Sequence, residues 1–208
     1  MKFVITAGPT REHLDPVRFL SNPSTGKMGF AVARAAARRG HDVTLVAGPV
    51  ALKTPKGVTR VDVVSARDML KAVEAALAGN VETVFVATAA VADWRPAACA
   101  AKKLKKAQMS DTLRLVRNPD ILKSVKGCLK VGFAAETNDV LKEAARKCKA
   151  KGLEMIVAND VTQKGCGFGT DTNRVTFLRK DGSVEALPLM SKLAVAQRIV
   201  RACENLRA

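Results

Sequence analysis

The segment MKFVITAGPTREHLDPVRFLSNPSTGKMGFAVARAAARRGHDVTLV, residues 1–46, determines the fold class. It begins with an apolar run at residues 2–7 that is typical of a buried strand. After a long loop, the alanine-rich residues 27–39 predict a helix that ends before Gly40, and residues 41–46 predict a second strand. Strand, helix and strand in this order form the repeating unit of an α/β domain with a parallel sheet.

The same alternation continues along the rest of the chain. Further strands are predicted at residues 58–64, 83–87, 112–116, 130–134 and 154–158. Helices are predicted at residues 65–77, from 119 onward, at 140–151 and at 191–206. Two long irregular loops, 89–111 and 159–172, interrupt the pattern, and a hairpin of residues 174–178 and 184–187 precedes the last helix. The pattern predicts one α/β domain, residues 1–208, with a mostly parallel sheet and a C-terminal hairpin.

Composition excludes several classes of protein. Of the residues, 48% are hydrophobic and 26% charged, as in soluble globular proteins. No apolar run approaches the roughly 20 residues that cross a bilayer, and the N-terminus lacks the features of a signal peptide. The five cysteines are odd in number and contain no CxxC pair, which indicates free thiols rather than a disulfide framework or a zinc knuckle. We therefore expect a soluble, cytoplasmic protein.

The charge balance indicates a ligand rich in phosphate. The chain carries 35 Lys and Arg against 19 Asp and Glu, a net charge of +16, which attracts anions of every kind. Aromatic residues make up 4% and tyrosine is absent, so the aromatic stacking surfaces of single-strand binders are scarce. The charge therefore favours a small phosphorylated ligand over nucleic acid.

The loop between the first strand and the first helix is the first candidate site. The amino end of a helix binds anions through its backbone N–H groups, and Gly26 and Gly29 allow close approach of a ligand and close helix-to-sheet packing. The segment is not a P-loop, because Ser21 replaces the first glycine and Met28 the final hydroxyl residue, and it is not a GxGxxG fingerprint. On spacing alone, a phosphate-binding loop and an ordinary loop with a helix cap fit equally well.

Several motifs occur together in one order. They are GPTRE (8–12), LDPVR (14–18), SNPSTGKMG (21–29), AAVADWRP (89–96), KKLKK (102–106), VRNPDI (116–121), VGFAAETN (131–138) and ANDV (158–161). With them, the chain closely resembles the phosphopantothenoylcysteine synthetase family over nearly its whole length. The resemblance implies a Rossmann-like three-layer fold.

The resemblance also implies a reaction, the ligation of L-cysteine to 4'-phosphopantothenate in coenzyme A biosynthesis. A nucleoside triphosphate, usually CTP, activates the substrate carboxylate as an acyl-cytidylate and releases pyrophosphate, and the amine of cysteine then displaces CMP. Mg²⁺ or Mn²⁺ would accompany the nucleotide, and no flavin is expected. The sequence does not distinguish CTP from ATP, and it indicates neither the metal ligands nor a general base for the amine.

The resemblance assigns two catalytic residues. Asn22 matches the asparagine that handles the acyl intermediate, where an amide can hydrogen-bond a developing oxyanion. Lys103 matches the catalytic lysine of a flap that also contains Lys105 and Lys106, and closure of this flap would stabilise charge on the α-phosphate and exclude water. Without the resemblance, Asn22 would be read as a turn or cap residue and the lysines as a solvated cluster.

Binding residues follow from the same motifs. A phosphate group of the substrate is assigned to Arg18, Ser24, Thr25 and Gly26. The nucleotide is assigned to Ala87, Thr88, Ala89, Asp93, Lys103, Pro119, Asp120, Ile121, Leu122, Phe133, Lys147 and Lys151. Whether Asp93 binds the base, the ribose or a divalent ion stays open, and Trp94 departs from the family's usual tyrosine or phenylalanine. Without the family, Phe133 would be a core residue, and Lys147 and Lys151, which share a helix face, would form a solvated basic surface.

Two other functions compete with the ligase. A NAD(P)-dependent Rossmann-fold oxidoreductase shares the fold, but the missing GxGxxG and the lack of an acidic residue after the second strand argue against it. A basic nucleic-acid-binding module would explain the charge.

The expected partner is a second copy of the chain, whose flap lysines complete the site. Neither nucleic acid nor a membrane is an expected partner. Because the chain has no room for the flavin-dependent decarboxylase often fused to this family, we expect a stand-alone synthetase or an excised domain, with a separate decarboxylase as a candidate partner.

Overall fold

The structure is a computed structural model that describes residues 1–79, 82–106, 109–136, 140–160, 162–163 and 165–206. In chain order its elements are β1 (Lys2–Ala7), β2 (Arg11–His13), β3 (Phe19–Ser21), α1 (Lys27–Arg38), β4 (Asp42–Ala47), β5 (Thr59–Asp62), α2 (Ala66–Leu77), β6 (Thr83–Ala87), β7 (Trp94–Pro96), β8 (Leu115–Arg117), α3 (Ile121–Ser124), β9 (Leu129–Glu136), α4 (Val140–Lys151), β10 (Met155–Asp160), β11 (Thr172–Asn173), β12 (Val175–Arg179), β13 (Val184–Ala186), β14 (Met190–Ser191) and α5 (Lys192–Asn205).

An eight-stranded sheet in the order β13-β12-β10-β9-β6-β1-β4-β5 forms the centre of the domain. Strand β1 is parallel to both of its neighbours, β4 and β6. The chain first winds outward from β1 through β4 to β5 and then returns to β6 on the other side. The direction of winding therefore reverses between β1 and β6, and in sheets of this type the carboxyl ends of the strands leave a crevice at that point.

The alternation of side chains along each strand produces the three layers. In β1, Phe3 and Ile5 pack with α1 and α5 on one face of the sheet, whereas Val4 packs with α2 and α3 on the other. Helix α4 covers the second face beside β10 through Ala144 and Cys148. Because side chains alternate along a strand and both faces are covered, the parallel strands are apolar nearly throughout. The predicted α/β fold with a mostly parallel sheet is confirmed.

The first turn of α1 lies unusually close to the sheet at Gly29. A Cβ atom on this residue would come within 2.4 Å of the Thr88 side-chain oxygen, 2.5 Å of the Ala7 Cβ and 2.9 Å of the Thr6 carbonyl oxygen. Thr88 is itself held in place, since its hydroxyl donates to the Thr6 carbonyl at 2.5 Å. Only glycine leaves room for the helix to approach β1 and the end of β6 this closely.

We predict that Gly29→Ala lowers the free energy of unfolding by about 1–3 kcal/mol, because the new methyl group meets backbone and a fixed Cβ that cannot move aside. Gly132→Ala is the matched control, since its Cβ would meet the flexible end of the Leu153 side chain at 2.7 Å. Urea unfolding of the two variants should show the larger loss for Gly29→Ala. Equal losses would contradict the packing argument.

The loops contain strands that the sequence pattern does not predict. Strands β2 and β3 form an antiparallel hairpin inside the long loop after β1. The strand predicted at residues 112–116 is misplaced: β8 begins at Leu115 and pairs with β7 in a separate two-stranded sheet. The position next to β6 in the main sheet belongs to β9. The apolar residues Leu113 and Leu115 are exposed, so the alternation that predicts a strand there does not mark a buried one.

Other predictions agree with the structure. The C-terminal hairpin is present as β12 and β13, which extend the parallel sheet in antiparallel fashion beyond β10. All five cysteines are free thiols, and burial raises the pKa of the Cys203 thiol to about 12. Within the described ranges, every helix is too short or too polar to cross a bilayer.

Candidate functional site

Two clefts open where the carboxyl ends of the parallel strands meet the helix amino ends. The α1 cleft lies at the start of α1 and is lined by residues 24–29, Thr88, Ala89, Ala90, Phe133, Ala134, Asn159, Gly167, Phe168, Asn173 and Lys192. The α3 cleft lies at the start of α3 and is lined by Thr6, Phe85, Ala87, Ala89, Val91, Ala92, Asp93, residues 119–122, Phe133 and Lys151. Both clefts therefore lie at the crevice that the topology predicts.

The amino end of α1 faces the α1 cleft with its N–H groups available. The helix follows Gly26, which adopts a left-handed conformation with φ of 76°, and no side chain among the described residues caps it. The first N–H groups of a helix lack partners within the helix, and the helix dipole places partial positive charge there. Ser24 and Thr25, predicted as phosphate-binding residues, line the same end, and the Ser24 hydroxyl accepts the Gly26 N–H at 3.4 Å. The arrangement suits an anion such as a phosphate.

Two lysines hold a loop at the side of this cleft. Lys27 donates to the Gly169 carbonyl at 2.9 Å and to the Asp171 carboxylate at 2.7 Å. Lys192, only 7% exposed, donates to the Gly167 carbonyl at 3.0 Å and the Thr170 carbonyl at 2.6 Å. Burial, together with repulsion from Lys27, lowers the pKa of Lys192. Both ammonium groups add positive charge to the lining of the α1 cleft.

Asn159 is a lining residue to which the sequence assigned no role. Its side chain is buried, and its Oδ1 atom has no hydrogen-bond partner in the described part of the chain. A buried acceptor without a donor is costly and rare in folded proteins. It lies in the wall of the α1 cleft, so a ligand bound there is in position to supply a donor. The sequence signal was its place near the end of a buried strand, in the ANDV motif.

We predict that Lys192→Met destabilises the domain by about 1–3 kcal/mol, because the buried carbonyl groups of the loop lose their donor. The control Lys27→Met removes a partly exposed ion pair and should cost about 0–1 kcal/mol. Chemical denaturation of both variants measures the loss in free energy of unfolding, which should be larger for Lys192→Met. A cost for Lys27→Met equal to or above that of Lys192→Met would argue against a buried clamp.

The α3 cleft combines apolar walls with two carboxylates and a lysine. Asp120 begins α3, where its side chain accepts the Lys123 N–H at 3.2 Å. The same carboxylate pairs with the Lys151 ammonium at 3.0 Å, so Lys151 points from α4 toward the start of α3. Asp93 is exposed, and its carbonyl oxygen accepts the Asn118 N–H at 2.8 Å. The cleft thus offers backbone and polar groups beside an apolar wall, as small-molecule sites do.

The two clefts meet at Ala89 and Phe133, which line both of them. Asn22 lies next to this junction, because its Nδ2 atom donates to the Ala90 carbonyl at 3.1 Å. The Ala90 N–H in turn donates to the Gly8 carbonyl at 2.9 Å, which ties the end of β6 to the end of β1. Ligands held in the two clefts would therefore approach each other beside Asn22.

Most of the predicted site residues are brought together in the two clefts. Asn22 adjoins the junction without lining either cleft. The predicted residues that lie farther outside the linings are Arg18, Lys103, Lys105, Lys106 and Lys147. Lys147 lies one turn before Lys151 on α4. The flap lysines are exposed, and Arg18 contacts the flap backbone instead of the amino end of α1. The phosphate-binding role predicted for Arg18 thus has no geometric support here and stays a prediction.

Trp94 also lies outside the two linings. Its side chain is 45% exposed at the start of β7, and the Arg117 guanidinium lies 5.3 Å from the centre of its ring. The departure from the family pattern at this position therefore affects an exposed surface beside the site.

Comparison with known proteins identifies the family. Residues 1–206 match the family described as the DNA/pantothenate metabolism flavoprotein C-terminal domain. This chain belongs to that family. The family match confirms the resemblance that the sequence motifs indicate.

Relatives in this family are considerably longer than the chain. It is 49% identical to the coenzyme A biosynthesis bifunctional protein CoaBC of Escherichia coli over 209 residues, which cover 96% of this chain and 50% of that protein. It is also 49% identical to CoaBC of Bacillus subtilis over 203 residues, 95% of this chain and 50% of the relative. The chain thus spans about half the length of the relatives it matches.

Two solved structures share the fold. The crystal structure of the C-terminal domain of a CoaBC protein is 43% identical and has a TM-score of 0.83 over 99% of this chain and 94% of that one. A Cab2 variant, solved in complex with phosphopantothenate-cysteine, has a TM-score of 0.79 at 15% identity, over 99% of this chain and 87% of that one. At that identity the second comparison speaks for the fold alone.

Proposed function

We propose that this domain is a phosphopantothenate–cysteine ligase of coenzyme A biosynthesis, which joins L-cysteine to 4'-phosphopantothenate through an acyl-cytidylate. The observation that carries the proposal is the meeting of the anion-compatible α1 cleft and the α3 cleft, with its apolar wall and polar groups, at Ala89 and Phe133, beside Asn22. The names of the CoaBC relatives support the pathway.

Each cleft has properties that suit one substrate. The α1 cleft, with helix N–H groups and two lysines, suits the phosphate of 4'-phosphopantothenate. The orphan acceptor of Asn159 would take a hydrogen bond from an amide or hydroxyl group of the same substrate. The α3 cleft suits the nucleotide, with Phe133 against the base and Lys151 near the phosphates. The substrate carboxylate would then extend toward the α-phosphate at the junction.

The chemistry has two steps. A carboxylate oxygen attacks the α-phosphorus of the nucleotide, and the bond to the leaving pyrophosphate breaks. The amine of cysteine then attacks the acyl carbon, the carbon–oxygen bond to CMP breaks, and the nitrogen gives up one proton as the amide forms. Because both reactants of the first step are anions, surrounding positive charge and N–H donors lower its barrier by holding them together and by stabilising the transition state.

We predict that Lys103→Gln abolishes most acyl-cytidylate formation, because the ammonium that would neutralise charge on the α-phosphate is lost. Removal of one such preorganised donor typically costs about 100–1,000-fold in rate. The readout is pyrophosphate release in the absence of cysteine. Lys123→Gln, an exposed lysine on α3, is the control and should release pyrophosphate normally. Normal release by Lys103→Gln would remove the assigned role.

We predict a different defect for Asn22→Asp, which should still release pyrophosphate but form little ligated product. A carboxylate cannot donate to the Ala90 carbonyl as the amide does at 3.1 Å, and it would repel a developing oxyanion. Separate measurement of pyrophosphate and of phosphopantothenoylcysteine tests this. Full ligation by the variant would count against a role in handling the intermediate.

The nucleotide and the metal are part of the same proposal. CTP is proposed over ATP on the family resemblance, and Mg²⁺ or Mn²⁺ would arrive with the triphosphate. The described residues contain no cluster of three or more His, Cys, Asp or Glu side chains that could hold a metal ion. That fits an ion coordinated mainly by phosphate and water, with Asp93 as a nearby carboxylate in the α3 cleft. No flavin is part of the proposal.

A homodimer is also proposed, with flap lysines completing a site across the interface. Its support is a group of exposed apolar side chains on the β2–β3 hairpin, on the two-stranded sheet of β7 and β8, and next to them: Val17, Phe19, Leu20, Trp94, Leu113 and Leu115. Contiguous exposed apolar surface is typical of interfaces. Sedimentation at micromolar concentration should give twice the mass of the 22.1 kDa chain, and a monomer would contradict this part.

The free thiols support a cytoplasmic location. A phosphopantothenoylcysteine decarboxylase, which would act on the product, is the proposed partner.

The proposed function is tested by pyrophosphate release with 4'-phosphopantothenate and either CTP or ATP, with and without cysteine. We expect release with CTP that depends on 4'-phosphopantothenate, and an amide product once cysteine is added. ATP acting equally well would overturn the nucleotide preference alone. Absence of release with both nucleotides would overturn the ligase.

A further inference from the structure

The lysine-rich flap is attached to the domain at its central residue, Leu104. The Leu104 N–H donates to the Asp15 carboxylate at 3.2 Å, and the Leu104 carbonyl accepts from the Arg18 guanidinium at 2.7 Å. Both backbone groups of one loop residue are thus bound by an ion-paired Asp and Arg. A second tether lies nearby, where the Ala100 N–H donates to the Leu14 carbonyl at 2.9 Å.

Asp15 is the centre of this attachment. Its side chain is fully buried, and besides Leu104 it accepts the N–H groups of Val17 and Arg18, both at 2.8 Å. The Arg18 guanidinium donates twice more to the carboxylate, at 3.0 Å from Nε and 2.5 Å from Nη2. Removing a carboxylate from water is costly unless donors surround it, and here five donors do so. These bonds join the turn of residues 15–18 and the flap into one unit.

Electrostatics keep this carboxylate charged. Burial by itself raises the pKa of Asp15, but the hydrogen bonds from Arg18, Val17 and Leu104 outweigh burial and hold the pKa well below its ordinary value. A folded pKa below the unfolded one means that the attachment is intact at neutral pH and is lost only as pH falls through the folded value.

The attachment determines where Lys103 can reach. Adjacent Cα atoms are about 3.8 Å apart, so a Leu104 held through both backbone groups restricts the base of the Lys103 side chain to a small region. The lysine side chain itself is exposed and keeps its rotational freedom. Without the attachment, the flap would sample many positions, and the productive one would be rarer.

We propose that Asp15 is a positioning residue that docks the flap through Leu104 and thereby places Lys103 for the first step of the reaction. The proposal concerns residues of one chain, and its catalytic part rests on the proposed ligase function. The docking part does not, and can be measured without substrates.

The first experiment measures docking. In Asp15→Asn, trypsin should cleave after the lysines of residues 102–106 several times faster than in the unaltered protein, because proteolysis follows the population of the undocked loop. Glu204→Gln is the matched control, since it also removes a carboxylate charge bound to an arginine, Arg39, but at the end of α5 away from the clefts. Cleavage of the flap at the same rate in all three proteins would overturn the proposal.

The second experiment measures the consequence for the reaction. Asp15→Asn should lower the single-turnover rate of pyrophosphate release by about 10–100-fold, as small misplacements of catalytic groups do, with the Kd for CTP unchanged. In a Lys103→Gln background the same change should have no further effect, because there is no ammonium left to place. If Asp15→Asn slowed pyrophosphate release equally with Lys103 and with Gln at position 103, the positioning role would be overturned. The same holds if the change weakened only the binding of CTP.

A second variant keeps the test valid if Asp15→Asn folds poorly. Leu104→Pro removes the N–H that Asp15 accepts but leaves the Asp15–Arg18 pair intact. It should reproduce the slower pyrophosphate release and also the faster cleavage, which is read after Lys105 and Lys106 because trypsin does not cleave a Lys–Pro bond. A Leu104→Pro protein with unaltered rates would refute docking. If the unaltered protein docks its flap but releases no pyrophosphate, the ligase proposal fails and the docking result stands.

Discussion

The close approach of α1 to the sheet at Gly29 is the constraint on which the site depends. Because a helix start lies against the ends of β1 and β6, its N–H groups are aimed into the crevice between those strands. A side chain at this position would push the helix outward and widen the α1 cleft. The same contact holds Thr88 and the end of β6, which continue into the junction of the two clefts. The packing of α1 and the shape of the α1 cleft are therefore set by one contact.

The structure shows where some of the basic residues behind the net charge of +16 lie. Lys27 and Lys192 line the α1 cleft, Lys151 lines the α3 cleft, and the flap lysines lie on a separate exposed segment. A reaction between a carboxylate and a nucleotide phosphate brings two anions into contact, so positive charge on several sides is what the proposed chemistry requires. The proposed phosphorylated ligands would account for these lysines in particular.

The buried polar groups divide into two kinds. Asp15 and Lys192 are surrounded by partners from the protein and hold loops in place. Asn159 has an acceptor without a partner among the described residues and lies in the wall of the α1 cleft. Both kinds are costly to bury, and both lie where loops adjoin the carboxyl edge of the sheet. Stability and function thus depend on the same few loops.

By itself, the sequence determined the α/β fold, the parallel strands, the C-terminal hairpin and the family, because these follow from local periodicity and from ordered motifs. Residues such as Ser24 and Pro119–Leu122, which line the clefts, were assigned through the motifs that match the family. Only the tertiary structure decided that β7 and β8 form a separate sheet, that Asn159 is an unpaired acceptor in a cleft, and that Arg18 and Asp15 hold the flap. Those contacts join residues as many as 89 positions apart, and no local pattern encodes a hydrogen bond across such a separation.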